Sequence, residues 1–118
     1  MALGNNFDIT INQGATFELT ITWKDSAGTA INLTGYSARM QVRQKITDTA
    51  KLLDLSTGNG AITLGGAAGT ISVVAPATST DDITAKQGVY DLELESGSGV
   101  VTRLVQGCVT ISPEVTRP

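Results

Sequence analysis

Carboxylates are the groups in this 118-residue chain best placed to do chemistry, because the sequence contains no histidine and a single cysteine, Cys108. Without imidazole there is no Ser-His-Asp triad, no Cys-His dyad and no histidine-ligated metal. One thiol can form neither an internal disulfide nor a thiolate cluster. Paired carboxylates can still run acid and base chemistry, as in glycoside hydrolysis. The candidates are the adjacent Asp81 and Asp82 and the row Asp91, Glu93, Glu95. Neighbours on a helix diverge, however, and the row alternates with apolar residues as an ordinary solvated strand face does. Both sets read as surface charge, and the chain is expected not to be an enzyme.

Other motifs resolve the same way. The glycine-rich stretch from Gly58 to Gly69 lacks the Gly-Lys-Ser/Thr ending of a phosphate loop and is flanked by strand-like residues, so it reads as turn chemistry. Asp48, Asp54 and the Asp81–Asp82 pair offer oxygen ligands for calcium but in no EF-hand spacing. No metal or cofactor is expected. Cys108 sits in an alternating apolar run and reads as a small buried hydrophobe. The two residues singled out for an interface are Arg39 and Arg43, on the polar face of one regular strand and about 13 Å apart.

The elements that position these residues follow from a period of two. Phe7, Ile9 and Ile11 alternate, then Phe17, Leu19, Ile21 and Trp23, then Tyr36, Ala38, Met40 and Val42, then Tyr90, Leu92 and Leu94. Such alternation puts one set of side chains on a core and the other in solvent. Lys51 to Leu55 fits a short strand or a helical turn. Ala61–Leu64 and Thr70–Val73 flank GGAAG as a hairpin. A helix is expected near 78–87, capped by Thr78, Ser79 or Thr80, with Asp81 and Asp82 against its positive end and Gly88 as its stop. The final run, Val100 to Ile111, contains Gly107, which predicts a bulge. All five aromatic residues fall on core faces.

The sum is an all-β antiparallel β-sandwich of immunoglobulin-like architecture, with about seven to nine short strands and one short helix. One domain is expected over 1–118, with flexible ends at 1–6 and 112–118. The N-terminus lacks the pattern of a signal peptide, and no apolar run approaches the roughly 20 residues that span a bilayer, so no membrane contact is expected. A net charge of -3 argues against direct nucleic-acid binding. The composition is 41% hydrophobic and 16% charged, with 17 threonines supplying much of the polarity.

Three blocks carry a resemblance. Ile11-Asn12-Gln13-Gly14-Ala15-Thr16-Phe17 precedes an alternating strand; Asp25-Ser26-Ala27-Gly28 leads into Ile31-Asn32-Leu33-Thr34-Gly35-Tyr36 and on to Arg43; and Gly88-Val89-Tyr90-Asp91-Leu92-Glu93-Leu94 follows late. Together they resemble small β-sandwich virion proteins of tailed bacteriophages, in particular the N-terminal domain of phage baseplate upper proteins. The resemblance spans about Phe7 to Ile111, and its elements are structural, not catalytic. It implies a non-enzymatic virion protein, made in the bacterial host cytoplasm, that acts as an oligomerising module of the tail, neck or baseplate. Its partners would be other virion proteins and further copies of itself. In larger family members such a domain anchors a receptor-binding or fibre module, and no such module is expected here. A capsid decoration (cement) protein and a host-surface or carbohydrate-binding β-sandwich are the alternatives.

Overall fold

Period-two alternation decides both sheets of the fold. In the computed structural model, which describes residues 6–115, it builds eight strands: β1 (Ile9–Asn12), β2 (Phe17–Thr22), β3 (Ser37–Arg43), β4 (Leu53–Ser56), β5 (Ile62–Leu64), β6 (Thr70–Ala75), β7 (Gln87–Glu95) and β8 (Val101–Ser112). One sheet has the order β1-β8-β7-β3-β4 and curls into a half-barrel; the other has the order β2-β6-β5. The expected hairpin forms, with Leu64 opposite Ile71 and a single 3-10 turn, Gly66–Ala68, between the strands. Gly69 ends that turn at φ +69°, and its α-carbon lies so close to the Trp23 and Ile31 carbonyls that a Cβ would stand 2.8 and 3.0 Å from them.

The inward residues make one core. Met40, Val42, Leu92 and Leu94 from the five-stranded sheet meet Ile21, Ile62, Ile71 and Val73 from the three-stranded one. Loops contribute Leu33, Ile83 and Trp23, and Trp23 meets Tyr36 edge-to-face with ring centroids 6.1 Å apart. Among the described residues every buried side-chain nitrogen and oxygen has a hydrogen-bond partner.

Several expectations require correction. The sandwich is not wholly antiparallel, because β1 pairs parallel to β8 with Ile9 opposite Val109. The chain reaches β8 through the β7 hairpin after crossing to the second sheet and back twice, and first and last strands run side by side in one direction. Only one turn of helix forms, α1 (Ala77–Thr80), and Gln87 already belongs to β7. Thr78, Ser79 and Thr80 are poor helix formers, and Thr80 is fully buried, its hydroxyl donating to the Ala15 carbonyl at 2.8 Å. Pro76 takes the cap position, with no side-chain cap bond.

The bulge also lies elsewhere. Leu92 opposes Val105 while Glu93 opposes Arg103, so Leu104 is the inserted residue. Leu104 and Val105 are both buried, and the inward parity changes from even to odd across them. Gly107 is instead a point of close approach: a Cβ there would stand 2.6 Å from the Phe7 carbonyl oxygen. The shifted parity turns Cys108 outward, so it is exposed and not buried. Phe7 leaves the core face too, at 46% exposure. Its segment is not strand: the Cys108 N–H donates to the Asp8 carboxylate at 3.0 Å rather than to backbone.

Of the expected flexible ends, residues 1–5 and 116–118 lie outside the described part. Asn6 bridges to Gln106, Ser112 ends β8 opposite Asn12, and the Glu114 N–H donates to Gln13 Oε1 at 2.9 Å.

Tyr90 links this N-terminal segment to the sheet, its hydroxyl donating to the Phe7 carbonyl. Burial, reinforced by the Asp8 charge, pushes its phenol up to about 12. A raised acid pKa stabilises the fold fully below the unfolded value and loses that contribution as pH rises through the folded one. Tyr90→Phe should therefore cost about 1 kcal/mol near neutrality. It should also flatten the loss of stability that the parent shows between pH 10 and about 12. Chemical denaturation across that range checks both.

Candidate functional site

The outward residues of β3, β7 and β8 converge on one face of the five-stranded sheet. Register sets the neighbours: Arg39 lies opposite Glu93 and Gln41 opposite Asp91 on one side of β7, and Glu93 opposite Arg103 and Asp91 opposite Gln106 on the other. The Leu104 bulge makes this arrangement, because it brings Arg103 outward beside Glu93 while the following odd-numbered residues stay in the core. The result is a row of alternating charge across three strands.

Its ion pairs are surface pairs. Arg39 Nε lies 3.2 Å from Glu93 Oε1, and Arg103 Nε lies 3.6 Å from Asp91 Oδ2. The arginine side chains are 57% and 56% exposed, so each pair stabilises the isolated protein by less than about 1 kcal/mol. Both guanidinium groups stay exposed, although Arg103 Nη1 also donates to Gln106 Oε1 at 3.1 Å. Asp91 is different. Partial burial between β3 and β8 holds its carboxyl above the usual carboxylate range; the adjacent Glu93 adds to this, and Arg103, Arg39 and Arg43 only partly offset it.

Arg43 is occupied by its own chain. Its Nη1 donates to the carbonyls of Asp48 (2.7 Å) and Thr49 (2.9 Å), and its Nη2 donates to Gln41 Oε1 (2.9 Å). It thus fastens the loop after β3, and that loop presents Ile46 at 83% exposure. Ile46, Val89, Arg103, Gln106 and Cys108 border a shallow groove of about 420 Å³ at this end of the face. The groove is apolar toward Ile46 and Val89 and charged toward Arg103 and Asp91, which suits a surface that lies against another protein.

The two residues singled out by sequence, Arg39 and Arg43, therefore share one face with different roles: Arg39 offers donors outward and Arg43 shapes the loop. Sequence reasoning missed Arg103 and Ile46 as members. Arg103 was hidden because the parity change came at Leu104 and carried no glycine signal. Ile46 was hidden in a segment without alternation. The carboxylates weighed for acid and base chemistry fall apart: Asp91, Glu93 and Glu95 line the solvated side of β7, and Asp81 and Asp82 follow α1. Among the described residues no three Asp, Glu or Cys side chains converge as metal ligands, and no helix is long and apolar enough to cross a membrane.

An acid whose folded pKa is raised contributes stability below its unfolded pKa, near 3.8 for Asp91, and loses it as pH rises through the folded value. The ionised Asp91 thus opposes folding at neutral pH. Asp91→Asn should raise the melting temperature at pH 7, with the difference vanishing near pH 3; an unchanged or lower melting temperature at pH 7 would contradict the balance described. Arg43→Ala should leave the melting temperature within a few degrees while hydrogen exchange of residues 44–50 accelerates at least about tenfold, the effect of losing roughly 1.4 kcal/mol of local protection. No described protein family matches this sequence, and no curated protein shows significant similarity to it.

Proposed function

We propose that this chain is a non-enzymatic structural module of a tailed-bacteriophage virion, placed in the tail, neck or baseplate, that holds neighbouring virion proteins together in many copies. The observation that carries this reading is where the resembling blocks lie. Ile11–Phe17 is the crossing from β1 through the Asn12–Gly14 turn into β2. Asp25–Gly28 is a turn in which the Asp25 carboxylate accepts the Ala27 and Thr29 N–H groups, both at 2.9 Å. Ile31–Arg43 supplies the Leu33 plug and the whole of β3, and Gly88–Leu94 is most of β7. The blocks thus build the scaffold and, through Arg39, Gln41, Arg43, Asp91 and Glu93, most of the charged face as well, while Arg103 and Ile46 complete it from outside them.

An immunoglobulin-like identity belongs with this reading. The second, sixth and fifth strands form one sheet, and the fourth, third, seventh and eighth run in order through the other, with β1 added at the β8 edge. That order agrees with the variable-type immunoglobulin sandwich and supports the assignment. The disulfide of antibody domains has no counterpart, since Cys108 is the one cysteine.

In this role the mixed-charge face works by complementarity. Rim charges fix register and partner choice more than they add affinity, and the groove beside Ile46 gives the partner an apolar anchor point. The reading is tested on particles. Purified virions of the phage that encodes the chain should contain it in multiple copies by quantitative mass spectrometry. The double variant Arg39→Glu, Arg103→Glu should fold normally yet be depleted from particles at least tenfold. A chain absent from virions, or found only in a capsid lattice, would overturn the tail, neck or baseplate placement.

A further inference from the structure

We infer that the open edge of β2 pairs antiparallel with the same edge of a second copy, centred on Thr20, merging two three-stranded sheets into one of six strands.

Strand polarity defines that edge. The Trp23 N–H donates to the Gly69 carbonyl at 2.9 Å, on the β6 side. Alternation then turns the N–H and C=O groups of Phe17, Leu19 and Ile21 toward β6 and those of Glu18, Thr20 and Thr22 away from it. Among the described residues, no backbone group bonds to these three outward residues. Backbone donors and acceptors in an extended row have one natural complement, another extended strand.

The other edges are blunted and this one is not. β1 and β4 have four residues each and β5 has three, and β4 is flanked by the Lys51–Asp54 ion pair. β2 has six residues, with no proline, no lysine or arginine and no bulge. Short length, edge lysine, proline and bulges are the devices that normally prevent such pairing.

The sequence of the edge selects a second copy as its occupant. Centring the two-fold on Thr20 sets Glu18 against Thr22, Leu19 against Ile21 and Phe17 against Trp23. The outward residues then form three hydrogen-bonded pairs, each exchanging two bonds. The Glu18 carboxylates stand about 13 Å apart along the ladder, beyond the screening length of physiological salt. A register centred on Glu18 would set like charges face to face, and one centred on Thr22 would run Glu18 past the strand end, where Lys24 already bridges to Ala30. Leu19, only partly buried in the single copy, would be covered by Ile21 of the other. The contact is isologous, so it closes at two copies instead of growing a fibre.

A strand edge buries less than the roughly 1,600 Å² of a standard interface, so the free dimer is weak. It strengthens where an assembly holds copies close together. The inference extends the assembly reading to a copy-to-copy contact, but it stands on backbone geometry and is tested on purified protein, so its failure and that of the virion reading are separate results.

Thr20 is exposed, so substitutions there leave the core intact. In a Cys108→Ser background, Thr20→Cys should give a disulfide-linked dimer under mild oxidation, because residues so paired have α-carbons about 5.5 Å apart, within disulfide range. Thr63→Cys, exposed on β5, is the control and should cross-link at least tenfold more slowly. Thr20→Lys and Thr20→Glu should each sediment as monomers, and their equimolar mixture as a dimer. Equal cross-linking at positions 20 and 63, or a mixture that stays monomeric at the concentration where the parent dimerises, would overturn the proposal. So would a parent chain that remains monomeric up to its solubility limit.

Discussion

The alternation of β7 is the constraint on which both sides of this molecule depend. The strand lies between β3 and β8, so its inward residues, Tyr90, Leu92 and Leu94, touch the core while its outward residues face out, Glu93 bracketed by Arg39 and Arg103 and Asp91 by Gln41 and Gln106. Slipping it by one residue would bury the carboxylates and expose the leucines. Packing and surface charge are therefore set by one register. The bulge at Leu104 lets the longest strand, β8, satisfy that register along its whole length while sending an arginine to the charged face.

Where local pattern and tertiary demand agree, the sequence reads cleanly. β2, β3 and β7 alternate without interruption, and the Gly65–Gly69 hairpin is written in its turn residues. The failures share a cause: a contact distant in sequence overrides the local pattern. Phe7 continues the parity of Ile9 and Ile11, yet the close approach of its carbonyl to Gly107 and Tyr90 turns the segment out of the sheet. The 78–87 segment has a helix-like start, but Thr80 is drawn down to the Ala15 carbonyl and Ile83 into the core, so one turn is all that forms. The parallel partnership of β1 with β8 joins residues about a hundred positions apart and leaves no local trace.

The candidate face was half legible. Arg39 and Arg43 stand out because β3 alternates perfectly, and Arg39 pairs with Glu93, its cross-strand neighbour on the exposed face. The role of Arg43 was not legible, since its partners are main-chain carbonyls of a loop without pattern. What completes the face, Arg103 and Ile46, depends on a parity change and a loop conformation that composition does not encode.

The parallel edge pairing of β1 and β8 has a mechanical side. The chain enters β1 at one end of that ladder and leaves β8 at the other, so tension between the two strands runs along them. Under such shear the rungs from Ile9–Val109 to Asn12–Ser112 share the load and must fail together, whereas a hairpin pulled at its open end yields one rung at a time. The Tyr90 hydroxyl on the Phe7 carbonyl adds a further anchor beside them. Any pull on the segments that enter β1 and leave β8 therefore loads this ladder in shear, its least yielding direction.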